Sequence, residues 1–260
     1  MPNERPLVSI ITPAYNSSKF IEDAIESVVL QTFKSWEMII VDDASSDSTV
    51  QLVSTWMKRE PRIKLIENTS NLGPGPSRNC ALGIARGRYV AFLDSDDVWL
   101  AEKLERQISL ISKTRAPMVF SSYSVIDEDG QDVGKIISAP SSVSYAYLLS
   151  NTVIGCLTVL VDREKVSDLR MPDIPSRQPL VLWLSILRNY GDAKGLDEVL
   201  AKYRVRPSSI SSNKFLAARQ VWNVYRNYEG LNFITSICHF IRYAINGLLR
   251  NRSILKNRFF

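Results

Sequence analysis

The chain has 260 residues, 45% of them hydrophobic and 23% charged, with a formal net charge of +5. That supplies apolar material for one large core, or for a core with a smaller appendage, at a charge content ordinary for a globular protein. Its three cysteines, Cys80, Cys156 and Cys238, are far apart and odd in number, which excludes a disulfide framework and a cysteine metal site and predicts a reducing compartment.

The first residues, Met1 to Pro6, are polar, and no apolar leader segment follows them. No apolar run approaches the roughly 20 residues that a membrane-spanning helix needs. A cytoplasmic location is expected. Leu7 to Thr12 reads as a buried strand. Phe20, Ile21, Ala24, Ile25 and Val28 then recur at helical spacing. Met38 to Val41 is a second strand that ends in Asp42 and Asp43. Ser45 to Ser48 offers helix N-caps, and Thr49 to Lys58 continues as a helix. Arg62 to Glu67 is a third strand, Asn71 to Pro76 a Gly/Pro turn, and Ser77 to Ala85 a helix. Tyr89 to Leu93 is a fourth strand, and Trp99 to Ile111 the next helix.

Strands alternating with helices predict an α/β fold, with a mostly parallel sheet covered by helices on both faces. The second half is less regular. Met118 to Tyr123, Val153 to Val161 and Val199 to Val205 read as strands, and Leu180 to Leu187 as a helix. Residues 208–213 form a polar break, with helices beyond. The expected organisation is one domain over 1–207, with a nucleotide-binding half of 1–115 and an acceptor half of 116–207. A helical tail follows over 208–260.

Ligands of such sheets bind beyond the carboxyl ends of the strands. Three polar clusters fall there: Thr12 to Asn16, Asp42-Asp43, and Asp94 to Asp97. The last puts three carboxylates in four residues directly after an apolar strand. Their mutual repulsion is relieved by a divalent cation, and hard oxygen ligands suit Mg²⁺ or Mn²⁺, which bridge phosphates. The competing reading is a loop whose aspartates cap the next helix. Asp43 can accept a uracil N3–H and Tyr15 can stack on the base, or the two can serve as a helix cap and as packing. Asn71 to Asn79 is a Gly-rich turn entering a helix, where Arg78 can pair with phosphate. No Gly-x-Gly-x-x-Gly follows the first strand, which disfavours a dinucleotide oxidoreductase.

These motifs carry a resemblance. Val8 to Asn16, Gln31-Thr32-Phe33, Ile40 to Asp47, Asn71-Leu72-Gly73 with Ala81, and Gly87 to Asp97 are similar to family 2 inverting glycosyltransferases. The likeness covers residues 7–113. It implies the Rossmann-like GT-A fold, a UDP-sugar donor and a Mn²⁺ or Mg²⁺ ion held by Asp94 and Asp96. By the same resemblance Pro13, Tyr15 and Asp43 hold the uridine, Arg78 lies near the nucleotide, and Asp94 and Ser95 also contact the nucleotide sugar.

Inverting transfer needs a general base for the acceptor hydroxyl. The family usually places an acidic pair four and five residues before a tryptophan in a Leu-Trp-Leu helix. Here that tryptophan is Trp183, and the matching positions are Gln178 and Pro179, neither of them a base. Asp173 is a weak substitute candidate. A nucleotide-sugar-binding partner subunit is the alternative to an enzyme.

Of the 32 Lys and Arg, 11 lie in residues 201–260, against a single acidic residue there, Glu229. Phe233, Ile234, Ile237, Phe240, Ile241, Ala244, Ile245, Leu248 and Leu249 make a helical apolar stripe, with Arg242, Arg250, Arg252, Lys256 and Arg258 around or after it. Such a helix can lie in an anionic membrane interface, which places the chain at the periphery of the cytoplasmic membrane through residues 231–260. Otherwise it packs on the body or on a second subunit, making a homo-oligomer. No nucleic-acid reading motif accompanies the charge. A lipid-linked saccharide acceptor in surface polysaccharide synthesis, O-antigen or capsule, follows by analogy.

Overall fold

A computed structural model describes residues 5–206 and 214–256. The polar break at 208–213 lies outside the described residues. Four strands, β1 (Val8–Ala14), β2 (Trp36–Asp42), β3 (Ile63–Glu67) and β4 (Tyr89–Phe92), pair in parallel in the order β3-β2-β1-β4. Every residue of β1, β2 and β4 is buried, as expected for strands covered on both faces. The crossovers are α1 (Ile21–Val29), α2 (Thr49–Arg59) and α3 (Pro74–Ile84). α3 begins at Pro74, three residues before the predicted start, because proline is pre-organised for the first helical turn.

The second half differs more from expectation. Val98–Trp99 is a two-residue strand, β5, and the helix α4 (Lys103–Thr114) starts only after it. β6 (Met118–Ile126) is followed by β7 (Asp132–Ile137), β8 (Ser142–Val143) and α5 (Tyr145–Ser150). The predicted strand 153–161 is largely a loop with a 3₁₀ turn at Cys156–Thr158; only β9 (Leu160–Asp162) pairs. α6 (Gln178–Tyr190) precedes β10 (Ala193–Arg204), which begins six residues earlier than predicted. The full order is β3-β2-β1-β4-β9-β6-β10-β5, with β7 on β6 and β8 on β10. β9 is antiparallel to both its neighbours, so the sheet is parallel in its first half and mixed beyond β4.

α7 (Lys214–Asn223), a π-helical turn (Val224–Tyr228) and α8 (Phe233–Lys256) complete the chain. α8 lies on α5. His239 Nδ1 and Ser150 Oγ are 2.9 Å apart, and Asn246 Nδ2 donates to the Ser150 carbonyl at 3.1 Å. Trp222 meets Phe233 and Phe240 edge-on, at centroid distances of 6.0 and 5.5 Å. Phe233, Ile234, Ile241 and Ile245 remain exposed. Among the described residues no helix is long and apolar enough to cross a membrane.

Candidate active site

The order β3-β2-β1-β4 reverses direction at β1, and crevices open at such switch points. β4 pairs with β1 only as far as Ile11↔Phe92, while β1 runs on to Ala14 beside β2. Pro13, which has no N–H, sits where that side of the ladder has ended. A cleft of about 930 Å³ lies there. Pro13, Tyr15, Asp43, Arg78, Asp94, Ser95 and Asp96 all line it. Asp173 is exposed and is not among the lining residues, whereas Gln178 and Pro179 are.

The turns after β1 and β2 lock together. Asn16 and Ala44 both have positive φ, 46° and 62°, uncommon for residues with a Cβ. Asn16 N donates to Ser45 Oγ at 2.9 Å, and Ser46 N returns a bond to Asn16 Oδ1 at 2.9 Å. The serines expected to cap α2 are therefore spent on Asn16. Asp47 instead accepts from Thr49 N, the first residue of α2, at 3.0 Å and from Ser18 N at 3.0 Å, which ties the start of the helix to the β1 turn. Tyr15, between these turns, is 51% exposed, a ring left open at the cleft rim.

Asp43 is buried and its carboxylate is engaged. It accepts from Leu72 N at 2.9 Å, Gly73 N at 2.7 Å and Asn68 Nδ2 at 2.7 Å. It therefore ties down the Gly-rich turn, where Gly73 takes φ 89°. α3 then carries Arg78, nearly buried, into an ion pair with Asp94. Burial disfavours the guanidinium charge, but Asp94 beside it raises the Arg78 pKa, so the cation persists. Its Nε is buried without a protein partner. Ser95 Oγ is shared with Ser17 Oγ at 2.7 Å, which joins the carboxylate loop to the β1 turn.

Asp96 pairs with Arg206 at 2.7 Å. Burial first, and the charge of Asp94 next, push the Asp96 pKa up. Asp97 is raised well above its ordinary value by burial and by its two acidic neighbours; it is fully buried and accepts from Arg204 N at 2.9 Å. Arg204 is a four-way strut. Besides that backbone bond, its side chain donates to the Asp96 carbonyl at 2.8 Å, the Glu128 carbonyl at 3.0 Å and Asp23 Oδ2 at 2.9 Å. The Phe20 ring lies under both Arg204 and Arg206.

Two carboxylates that face the cleft and repel each other are a fit for a divalent cation. Among the described residues no group of three or more acidic, His or Cys side chains could hold a metal. Asp94 and Asp96 would thus supply only part of the shell and leave the rest to phosphate and water, as is usual for Mg²⁺. Asp97 belongs to the loop's support instead.

Sequence reasoning missed Arg204, taken as part of a strand, and Arg206 just beyond it, and also Arg177 and Gln220 as cleft-lining residues. The usable signal was the Arg-x-Arg spacing of Arg204, the last residue of β10, and Arg206 two residues beyond. Gln178 is wedged against α3: a Cβ on Gly75 would lie 2.6 Å from its Nε2, which donates to the Ile174 carbonyl at 2.7 Å.

A family model, Glycosyl transferase family 2, matches residues 9–156. The chain is 46% identical over 248 residues to TuaG of Bacillus subtilis, a glycosyltransferase provisionally assigned to teichuronic acid biosynthesis; 95% of this chain and 98% of TuaG are covered. It is 39% identical to the Escherichia coli UDP-Glc:alpha-D-GlcNAc-diphosphoundecaprenol beta-1,3-glucosyltransferase WfgD, covering 96% of this chain and 97% of the relative. Its fold is similar to the mannosyltransferase PcManGT from Pyrobaculum calidifontis in complex with GDP-Man and Mn²⁺. That TM-score is 0.68 at 20% identity, over 93% of this chain and 70% of the other.

Proposed function

This chain belongs to glycosyl transferase family 2, with a GT-A fold, and from that premise we propose an inverting, metal-dependent transfer of a sugar from a UDP-sugar to a lipid-diphosphate-linked saccharide. The observation that carries this reading is the convergence of Tyr15, Asp43, Arg78, Asp94 and Asp96 on one cleft at the sheet's switch point. The donor and acceptor classes are those in the name of WfgD. Surface polysaccharide synthesis is the setting of TuaG's assignment.

Tyr15 offers its ring to the base. Asp43 holds the Gly-rich turn that walls the nucleotide, and the unpartnered Arg78 Nε suits a phosphate oxygen. Asp94 and Asp96 would hold Mn²⁺ or Mg²⁺, as a Mn²⁺ ion accompanies the nucleotide sugar in PcManGT; the ion would offset the charge of the diphosphate. Arg206 adds a cation at Asp96. The exposed apolar face of α8 and the basic last 60 residues support a peripheral position on an anionic membrane.

A second reading rests on one position. Pro179, the second residue of α6, lines the cleft where the family pattern calls for a carboxylate. The carboxylates that do line the cleft, Asp43, Asp94 and Asp96, are each held by amides or an arginine. A nucleotide-sugar binder with weakened transfer is consistent with this. Proline at the first helical turn is compatible with the helix, so aspartate there should fold equally well. Pro179→Asp is expected to raise UDP release that requires both acceptor and Mn²⁺, and chelation of the metal or Asp96→Asn should abolish it. Equal rates for the parent and Pro179→Asp would rule out this position as the site of the base.

A further inference from the structure

Four arginines line the cleft. Arg78 is paired with Asp94, Arg206 with Asp96 and Arg204 with Asp23. Arg177 differs. Its Nε makes a long bond of 3.3 Å to Gln220 Oε1 on α7, and no carboxylate among the described residues pairs with it. It is half-buried, so its charge is only partly solvated. Its backbone is left-handed, with φ 62° and ψ 20°, at the N-cap of α6. That conformation favours glycine or asparagine, yet the sequence puts a long cation there.

We propose that Arg177, with Gln220 beside it, binds the diphosphate of the acceptor. The inference rests on the reading above that the acceptor is diphosphate-linked. Two placements favour the acceptor over the donor. Arg177 adjoins Gln178 and Pro179, the positions at which the family pattern activates the acceptor hydroxyl. The donor's end of the cleft already has its cations in Arg78 and Arg206. A guanidinium fork matches phosphate oxygens bidentately, and the Gln220 amide can add a donor once its contact with Arg177 is released. α7 also carries Trp222, which packs on Phe233 and Phe240 of α8. α8 in turn exposes Ile234, Ile241 and Ile245. One helix pair thus links the anion-binding end of the cleft to an apolar outer surface, in the order that an amphiphilic diphosphate requires.

The test is a titration of the full chain with decyl diphosphate without nucleotide, alongside a separate titration with UDP and Mn²⁺. Arg177→Gln is expected to weaken decyl diphosphate by roughly ten-fold or more, from the loss of a charge-assisted pair, and to leave UDP affinity within about two-fold. Arg177→Lys should keep part of the affinity, because it retains charge without the fork. Arg219→Gln, an exposed arginine of α7 outside the cleft lining, should bind like the parent. The proposal is overturned if the parent does not bind decyl diphosphate, or if Arg177→Gln binds it unchanged. It is equally overturned if Arg219→Gln loses as much, or if UDP affinity falls in step with Arg177→Gln. Failure of UDP to bind the parent would refute the donor reading alone, since the decyl diphosphate titration still decides Arg177.

Discussion

Lys103 has no exposed surface and no acidic partner among the described residues. Its Nζ donates to Gln107 Oε1 at 2.6 Å and sits 4.0 Å from the centre of the Trp99 ring. Burial pulls its pKa from the ordinary 10.5 down to about 7. Between those two values the unfolded chain binds a proton that the folded chain does not, so stability rises with pH across that window. At lower pH the cost of charging a buried ammonium is fully present. Lys103→Met should therefore raise the melting temperature at about pH 6, and the gain should shrink at about pH 10. A gain of the same size at both would mean that the lysine is already solvated. At the same scale, the cleft residues at strand ends were legible in sequence because an acidic or aromatic residue directly after a buried strand has few structural explanations. Arg177 and Gln220 were not, because tertiary packing brings them to the cleft from segments with no local pattern.

Elements were legible where burial is two-sided. β1, β2 and β4 read as continuous apolar runs because both faces are covered. β7 was invisible: it lies on β6 outside the main strand order, and most of its residues are exposed. β10 was legible only from 199 onward. Its start, Ala193 to Glu198, is polar and irregular, with register shifts against β6 at Leu196/Val199 and Val199/Ala201. Within that start, Gly195 is in register with Phe120 and is set by a close contact on another side. A Cβ there would lie 1.9 Å from the Pro140 carbonyl oxygen, which is backbone and cannot swing away. Gly195→Ala is expected to cost about 1–3 kcal/mol or more, lowering the melting temperature by roughly 5 °C in a chain of this size. Thermal unfolding followed by circular dichroism would show it; an unchanged melting temperature would mean that the 139–141 segment yields freely.

At the scale of the whole molecule, α8 packs on α5 with one face and exposes Ile234, Ile241 and Ile245 on another, the face proposed above to meet a membrane. Its inner face carries His239 and Asn246 against Ser150 of α5, so deleting it would unmask α5 and confound a test of membrane binding with a loss of stability. Substituting only the outer face separates the two. Ile234→Asp, Ile241→Asp and Ile245→Asp together should abolish co-sedimentation with anionic vesicles while lowering the melting temperature far less than deletion of α8, since about half or more of each residue is exposed. Retained sedimentation would move the membrane contact to another surface.

The interlocked turns at Asn16 and Ala44 carry a thermodynamic consequence on the same scale. The cross-bonds between the β1 and β2 turns are made within the chain itself, so the nucleotide proposed above would find the cleft walls already ordered. Binding should then behave as rigid-body association. Calorimetry over several temperatures is expected to give a heat-capacity change set by the area of the cleft alone, without the larger negative value that accompanies coupled folding.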